Sequence, residues 1–188
     1  MCGPEGITLA SCPADIVELA AFRERAVELE RLAPGWSISL PRPGGVVAHS
    51  GRLALCVRPG RWLLLAPPAA PGASAAHWHE LCGGRAAVVE LSSALAAFLL
   101  TGPALGEMLA RGCRLDLEAG AFPVGGAAAT IMVQVPAILA RLSRGMLLLT
   151  PATTARHLRE WLVRTSQPFG LALAADAAVS ELYGESAT

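Results

Sequence analysis

The 188-residue chain carries 15 basic and 15 acidic residues, for a formal net charge of zero, and 53% of its residues are hydrophobic. This length allows one well-buried core or two small fused lobes, and it excludes a large multidomain enzyme. All the basic residues are arginines, and they are scattered, so no basic stripe is available for nucleic acid or for an anionic membrane surface. We therefore predict no nucleic-acid partner.

The cysteines are odd in number and form no C-x-x-C pair, so neither a disulfide framework nor a zinc ribbon is predicted. They are Cys2, Cys12, Cys56, Cys82 and Cys113. The first residues lack the basic region and apolar stretch of a signal peptide. We therefore expect reduced thiols in a soluble, cytoplasmic protein.

Two stretches without charged residues, 91–106 and 119–140, raise the question of membrane insertion. The second is long enough to cross a bilayer, which takes about 20 residues. Breakers that include Pro123, Gly125 and Pro136 divide it into pieces. Buried strands explain this pattern better, and no membrane span is predicted.

In the first half, a loosely held arm is predicted at residues 1–13. A strand is predicted over 16–22 and an amphipathic helix over 23–33, with one continuous helix as the alternative. A segment of short strands and turns, rich in proline and glycine, follows. The later patterns predict a hairpin of strands at 53–57 and 62–65, a helix at 74–82 and a strand at 86–91.

In the second half, an apolar strand at 95–100 leads into a helix with Pro103 in its first turn and Gly112 at its end. A helix over 153–164 is predicted to bury Leu158, Trp161 and Leu162 and to place Arg156, Glu160 and Arg164 at i, i+4 spacing in solvent. The remaining predicted elements are strands at 127–133, 135–142 and 146–149 and a closing helix at 169–183.

An internal repeat connects the two halves. RLALCVRPGRWLLLAP followed by AAHWHEL is similar to VPAILARLSRGMLLLTP followed by ARHLREWL. Both patterns indicate a hairpin, a proline and a helix with a tryptophan. We predict an α+β fold with duplicated strand-helix halves at about 14–90 and 91–170, packed as a single domain over 14–170, with a C-terminal tail at 171–188.

The segment HWHELC contains side chains of the types that bind transition metals, namely His77, His79, Glu80 and Cys82. On a helix, His79 and Cys82 share a face while His77 points elsewhere, so the segment offers two ligands at most. A third ligand would have to be His49 or His157, and nothing in the sequence connects either to this helix. A partly exposed structural helix is the better interpretation, and no metal site is predicted.

No G-x-S-x-G motif occurs, so no nucleophilic serine is predicted. The one candidate nucleophile is a cysteine, Cys113. Cys113 lies beside Arg111 and Arg114, whose charges would lower its pKa. The carbonyl dipoles at a helix C-terminus oppose that shift. We therefore interpret Cys113 as a structural residue.

Phosphate and dinucleotide sites need a glycine-rich turn, and neither G-x-G-x-x-G nor G-x-x-x-x-G-K-S is present. Gly102, Pro103 and Gly106 lie at a strand-to-helix junction that could hold an anion, but turn formation explains them equally well. Asp116 and Glu118 are two residues apart in a predicted loop and are left unassigned. The sequence thus predicts no catalytic, cofactor-binding or metal-binding residue in this chain.

Five segments, taken in order, resemble the gamma subunit of heterotetrameric sarcosine oxidase. They are PGWSISLP at 34–41, GRWLLLAP at 60–67, VELSSALAAFLLTGPALGEMLARGCRLDLEAGAFPVG at 89–125, AAATIMVQVPAILAR at 127–141 and MLLLTPATTARHLREWL at 146–162. The most specific run is a strand, TGPA, a helix, GC, LDL and AF before the paired strands. The resemblance covers the chain from about residue 15 to residue 164.

This resemblance implies a fold similar to the folate-binding domain of the aminomethyltransferase (T-protein) of the glycine cleavage system. It implies a complex with alpha, beta and delta subunits that oxidises sarcosine to glycine, hydrogen peroxide and formaldehyde or methylenetetrahydrofolate. FAD, FMN, NAD and tetrahydrofolate are expected on the partner subunits and no cofactor in this chain. Its implied role is to brace the assembly without a catalytic residue of its own.

Departures from the family pattern leave alternatives. Family members often carry Asp and His around ELSSA at 90–94 and an Arg-Ser pair at 152–154, which leaves a paralogous complex for another secondary amine open. Two further alternatives share the fold. One is a stand-alone folate-dependent one-carbon transferase, and the other is an iron-sulfur maintenance protein whose marker resembles KGCYxGQE, of which RGCRLDLE keeps only Gly112 and Cys113.

Overall fold

Two β-sheets packed face to face contain the strands of residues 6–182, the part of the chain that the computed structural model describes. In chain order the strands are β1 (Thr8–Ser11), β2 (Asp15–Ala21), β3 (Gly45–His49), β4 (Arg52–Arg58), β5 (Arg61–Ala66), β6 (Ala86–Glu90), β7 (Leu95–Thr101), β8 (Ala127–Met132), β9 (Val135–Leu142), β10 (Gly145–Pro151) and β11 (Ala172–Leu173). The α-helices are α1 (Ala26–Leu32), α2 (Ala73–Cys82), α3 (Leu105–Ala110) and α4 (Ala152–Ser166).

The order of elements repeats. The run β2-α1-β3-β4-β5-α2-β6 is followed by β7-α3-β8-β9-β10-α4-β11. The sheets repeat as well, with strand orders β3-β4-β5-β2-β6 and β8-β9-β10-β7-β1-β11, so that β1 is an insertion between β7 and β11. The predicted α+β fold with duplicated strand-helix halves is confirmed, whereas the exact boundaries at 14–90 and 91–170 stay a prediction.

Four layers follow from the alternation of side chains along the strands. Between the sheets, Leu55 and Leu65 of the five-stranded sheet meet Leu99 and Leu147 of the six-stranded sheet. The outer face of the five-stranded sheet is covered by α1 and α2, and the outer face of the other sheet by α3 and α4. The fold is therefore a helix-sheet-sheet-helix stack with one apolar cluster between each pair of neighbouring layers.

Helix α4 matches its predicted amphipathic pattern. Leu158 and Leu162 are fully buried against the six-stranded sheet, while Trp161 is half-buried. On the solvent side, Nε of Arg156 lies 3.0 Å from Oε1 of Glu160. The predicted helix over 23–33 forms differently, because Arg23–Arg25 is a 3-10 turn that precedes α1.

Residues 1–5 of the N-terminal arm predicted at 1–13 lie outside the described part of the chain, and Thr8–Ser11 of the remainder forms strand β1. Strand β1 pairs antiparallel with β7 and parallel with β11, and Ile7, Leu9 and Cys12 are buried. The closing helix predicted at 169–183 is also wrong: Ala172–Leu173 is a strand and Val179–Glu181 a 3-10 turn. Both errors have one cause, because these short strands are stabilised by partners far away in the sequence.

The two uncharged stretches, 91–106 and 119–140, supply β7, β8 and most of β9. Their apolar side chains are divided between the two faces of one sheet. No helix in residues 6–182 has both the length and the apolar character needed to cross a membrane.

Candidate functional site

The side chains of the HWHELC segment that could bind a metal do not point toward a common site. On α2, His77, His79 and Glu80 are exposed, whereas Cys82 is fully buried against the five-stranded sheet. His79 and Cys82 lie three positions apart on α2, but the burial of Cys82 turns its thiol away from the solvent that His79 faces. His77 instead makes an edge contact with the ring of Trp78, with ring centroids 5.4 Å apart.

The other histidines do not complete a site. His49 lies at the end of β3 and His157 on α4, and both side chains are exposed. Within residues 6–182, no group of three His, Cys, Asp or Glu side chains is placed to hold a metal ion.

Three buried thiols are held in their protonated form. Burial raises the pKa of Cys12 to about 11, and the nearby carboxylates of Asp176 and Glu181 add to the shift. Burial likewise raises the pKa of Cys56 and of Cys82. Because the thiolate is the nucleophile, these cysteines are unreactive at neutral pH.

Cys113 lies in the core where α3 ends. Its side chain is 8% exposed, its N–H donates to the Leu109 carbonyl over 2.9 Å, and it forms an isolated β-bridge with Met132. The neighbouring Arg111 guanidinium stacks on the Phe169 ring, 4.6 Å from its centroid. Arg111 thus contacts an aromatic ring of the C-terminal segment.

The strand-to-helix junction at Gly102 borders a cleft of about 450 Å³. Gly102 has a φ of +126°, so it is a turn glycine, and Pro103 lies before α3, not in its first turn as predicted. Arg141 and Arg144 also line this cleft, but each donates to a backbone carbonyl, Phe122 at 2.7 Å and Glu181 at 3.0 Å. The arginines therefore hold loops.

Asp116 and Glu118 occupy an exposed loop as predicted. The carboxylate of Asp116 accepts the N–H of Glu118 over 3.0 Å, which closes a local turn. Both residues line a shallow hollow of about 500 Å³ beside α3. This hydrogen bond gives Asp116 a structural role.

A feature that sequence reasoning missed lies where the two sheets diverge. An apolar cleft of about 350 Å³, here called the inter-sheet cleft, is lined mainly by Val57, Arg58, Leu95, Ala129, Pro136 and Ile138. A second hollow of about 250 Å³ shares Val57, Arg58, Leu95 and Ile138 and continues toward Trp62. The available signal was the exposed Ile131 of β8 and Pro136 of β9, in strands where buried and less buried positions otherwise alternate.

Charge at the rim of the inter-sheet cleft is unevenly compensated. Arg58 and Arg61 face each other across the β4-β5 hairpin, at a register shift in β4. Glu18 lies 3.1 Å from Arg61 and neutralises it. Within residues 6–182, no carboxylate lies within ion-pair distance of Arg58.

The positions that depart from the family pattern have structural partners here. The hydroxyl of Ser92 accepts the N–H of Ile16 over 3.0 Å, joining the β6-β7 connection to β2. Thr154 donates to the Pro151 carbonyl over 3.1 Å and lies 3.2 Å from the hydroxyl of buried Thr150. These hydroxyls therefore satisfy the local backbone.

No protein-family model matches this sequence. In contrast, the chain is 31% identical over 142 residues to sarcosine oxidase subunit gamma of Corynebacterium sp. (strain P-1), a match that covers 73% of this chain and 69% of the relative. It is 29% identical over 141 residues to sarcosine oxidase subunit gamma of Arthrobacter sp., with the same coverage.

Among structures, a chain of the heterotetrameric sarcosine oxidase from Corynebacterium sp. U-96, in complex with pyrrole 2-carboxylate, superposes with a TM-score of 0.79 at 26% identity. The match covers 93% of this chain and 91% of that one. The glycine cleavage system aminomethyltransferase T from Bartonella henselae shares the fold, with a TM-score of 0.63 at 15% identity over 92% of this chain and 48% of that one. The transferase and iron-sulfur alternatives are not favoured, and the chain belongs to the sarcosine oxidase gamma-subunit family.

Proposed function

We propose that this chain is the non-catalytic gamma subunit of a heterotetrameric sarcosine oxidase, in which it braces the assembly of alpha, beta and delta subunits. The observation that carries the proposal is the family relationship, together with a structural match that covers 93% of this chain. The complex would oxidise sarcosine to glycine, hydrogen peroxide and formaldehyde or methylenetetrahydrofolate in the cytoplasm.

The chemistry of the described side chains supports a bracing role. The buried thiols of Cys12, Cys56 and Cys82 are protonated, and the histidines of α2 point into solvent. We assign FAD, FMN, NAD and tetrahydrofolate to the partner subunits. Residues 14–170 would act as one duplicated folding unit, because a single core joins the two sheets.

The test is a reconstitution of the complex with and without this chain, followed by size-exclusion chromatography and a sarcosine-dependent peroxide assay. We expect the isolated chain to form no peroxide, and the other subunits without it to elute at lower mass and to lose activity on heating. Peroxide formation by the isolated chain would contradict a non-catalytic role. Assembly of the other subunits to full mass, heat stability and activity without it would contradict a bracing role.

A further inference from the structure

The edge of strand β8 that faces away from β9 is hydrogen-bonded to other segments near both of its ends and, among the described residues, is unpaired between them. At its start, the N–H of Ala127 points away from β9 and donates to the Gly44 carbonyl over 2.8 Å. Just after its end, the N–H of Val133 points the same way and donates to the Gly112 carbonyl over 3.0 Å. Hydrogen-bonding groups alternate along an antiparallel strand, so the N–H groups of Ala129 and Ile131, between these points, also face outward.

The outward N–H groups of Ala129 and Ile131 are available for pairing. Within residues 6–182, neither donates to a backbone or side-chain acceptor outside the β8-β9 ladder. The distance from Ala127 to Val133 corresponds to roughly 20 Å of extended chain. Because Gly44–Gly45 and Gly112–Cys113 occupy the two ends of this distance, the open edge between them has room for about three residues of an added strand.

The side chains beside this edge form an apolar surface. Ala129 and Ile131 lie on the same face of β8 as Ala127, the face that turns toward the other sheet. Ile131 is 52% exposed, and Ala129 and Pro136 are exposed next to it. This surface is continuous with the inter-sheet cleft, so backbone donors and an uncovered apolar row lie side by side.

The charge at the cleft points to one kind of occupant. Arg58 lines the cleft together with Ala129, and its facing residue Arg61 is already paired with Glu18. Like charges opposite each other in a hairpin are destabilising, so an added carboxylate at Arg58 relieves a repulsion and gains a partner. The site is therefore complementary to an apolar segment that carries an acidic group.

We propose that the open edge of β8 at Ala129 and Ile131 is the docking site for an extended segment of a partner subunit, which pairs as an added strand, covers Ile131 and Pro136 with alternating apolar side chains, and places a carboxylate at Arg58. Strand addition supplies main-chain hydrogen bonds, and the alternate side chains supply specificity. This inference rests on the proposed function, because it names the surface through which the chain is held in its complex.

The experiment is co-expression of the tagged chain with the other subunits of its complex, followed by quantification of the subunits that co-purify. Ile131→Asp introduces a charge into the apolar row, and Arg58→Glu reverses the charge at the rim. The matched controls are Val27→Asp, at a 62% exposed position on α1, and Arg159→Glu, at an exposed position on α4. Thermal unfolding of each purified variant checks that its fold is kept.

We expect Ile131→Asp and Arg58→Glu each to reduce co-purification about tenfold or more, as central interface residues do, and the two controls to retain it. A second readout needs no substitution: hydrogen-deuterium exchange at the Ala129 and Ile131 amides should slow in the complex relative to the isolated chain. The exchange of Val27 should not change.

The outcomes are distinguishable. Failure of the wild-type chain to capture any subunit of the complex overturns the proposed function itself. If the wild-type chain and the Ile131→Asp variant capture the other subunits equally, and exchange at β8 is unchanged in the complex, only the docking site is overturned. A third outcome is that exchange at β8 slows when the isolated chain self-associates but not in the complex. That result assigns the edge to a second copy of this chain and also overturns the docking site.

Discussion

The indole N–H of Trp62 donates to the carbonyl oxygen of Pro41 over 2.9 Å. Both residues are buried, and they belong to GRWLLLAP and PGWSISLP, two of the segments that carry the family resemblance. The bond fastens the loop before β3 onto β5. The two sequence segments are thereby joined by one structural contact.

Replacement of Trp62 by Phe should destabilise the fold. The substitution leaves the Pro41 carbonyl buried without a donor, which costs about 1–3 kcal/mol. The control is Trp36→Phe, because Trp36 is half-buried and only makes an edge contact with Trp78. Chemical denaturation of the two variants measures the difference, and equal losses of free energy of unfolding would contradict the role of the hydrogen bond.

The β8-β9 turn offers a stabilising substitution. Gln134 is exposed with a φ of +66°, a left-handed conformation that glycine adopts readily and other residues adopt at a cost of roughly 1–2 kcal/mol. Gln134→Gly should raise the free energy of unfolding by about 0.5–1 kcal/mol. The relief of backbone strain is partly offset because glycine loses more conformational entropy on folding. Gln167→Gly, at a φ of −53°, is the control and should give no gain in denaturant unfolding.

Gly145 is required by a close approach between strands. Its φ is +156°, and a methyl group there would overlap the carbonyl oxygen of Leu100 on β7. Gly145→Ala should therefore lower the free energy of unfolding by at least about 3 kcal/mol. Gly106→Ala is the matched control, because no atom lies within 4 Å of the added methyl in α3, and alanine favours helix by about 0.5–1 kcal/mol. A tolerated Gly145→Ala would show that β7 and β10 pair differently.

Alkaline pH should destabilise the protein through Cys12. Its folded-state pKa is about 11, against an ordinary value of 9.0, so the unfolded chain loses its proton first as the pH rises. The associated stability is present below pH 9 and is lost between pH 9 and pH 11, by about 2 kcal/mol. Thermal unfolding across this range should show a shallower decline for Cys12→Ala than for wild type. Parallel declines would contradict the assignment.

The central hairpins and helices were predictable because their signals are local. The β4-β5 hairpin has Pro59 and Gly60 at its turn, and α4 shows an apolar stripe at Leu158 and Leu162. The repeat of hairpin, proline and helix also predicted the duplication. Such patterns depend on periods of two and 3.6 residues, which a sequence displays directly.

The features that could not be predicted from the sequence depend on contacts between segments that are distant along the chain. Thr8 and Leu9 belong to a strand only because β7 and β11 lie on either side, and the four-residue run of β1 is too short to show a period. The inter-sheet cleft likewise arises from the divergence of two sheets. Sequence alone gave no means of placing Arg58 beside Ala129, which is 71 positions later along the chain.

The most direct test of the account is affinity purification of the tagged chain from its native host, with mass spectrometry and an absorption spectrum of the eluate. We predict co-purification of the other sarcosine oxidase subunits, a flavin spectrum and sarcosine-dependent peroxide formation. A colourless eluate that contains this chain alone would contradict the accessory-subunit function.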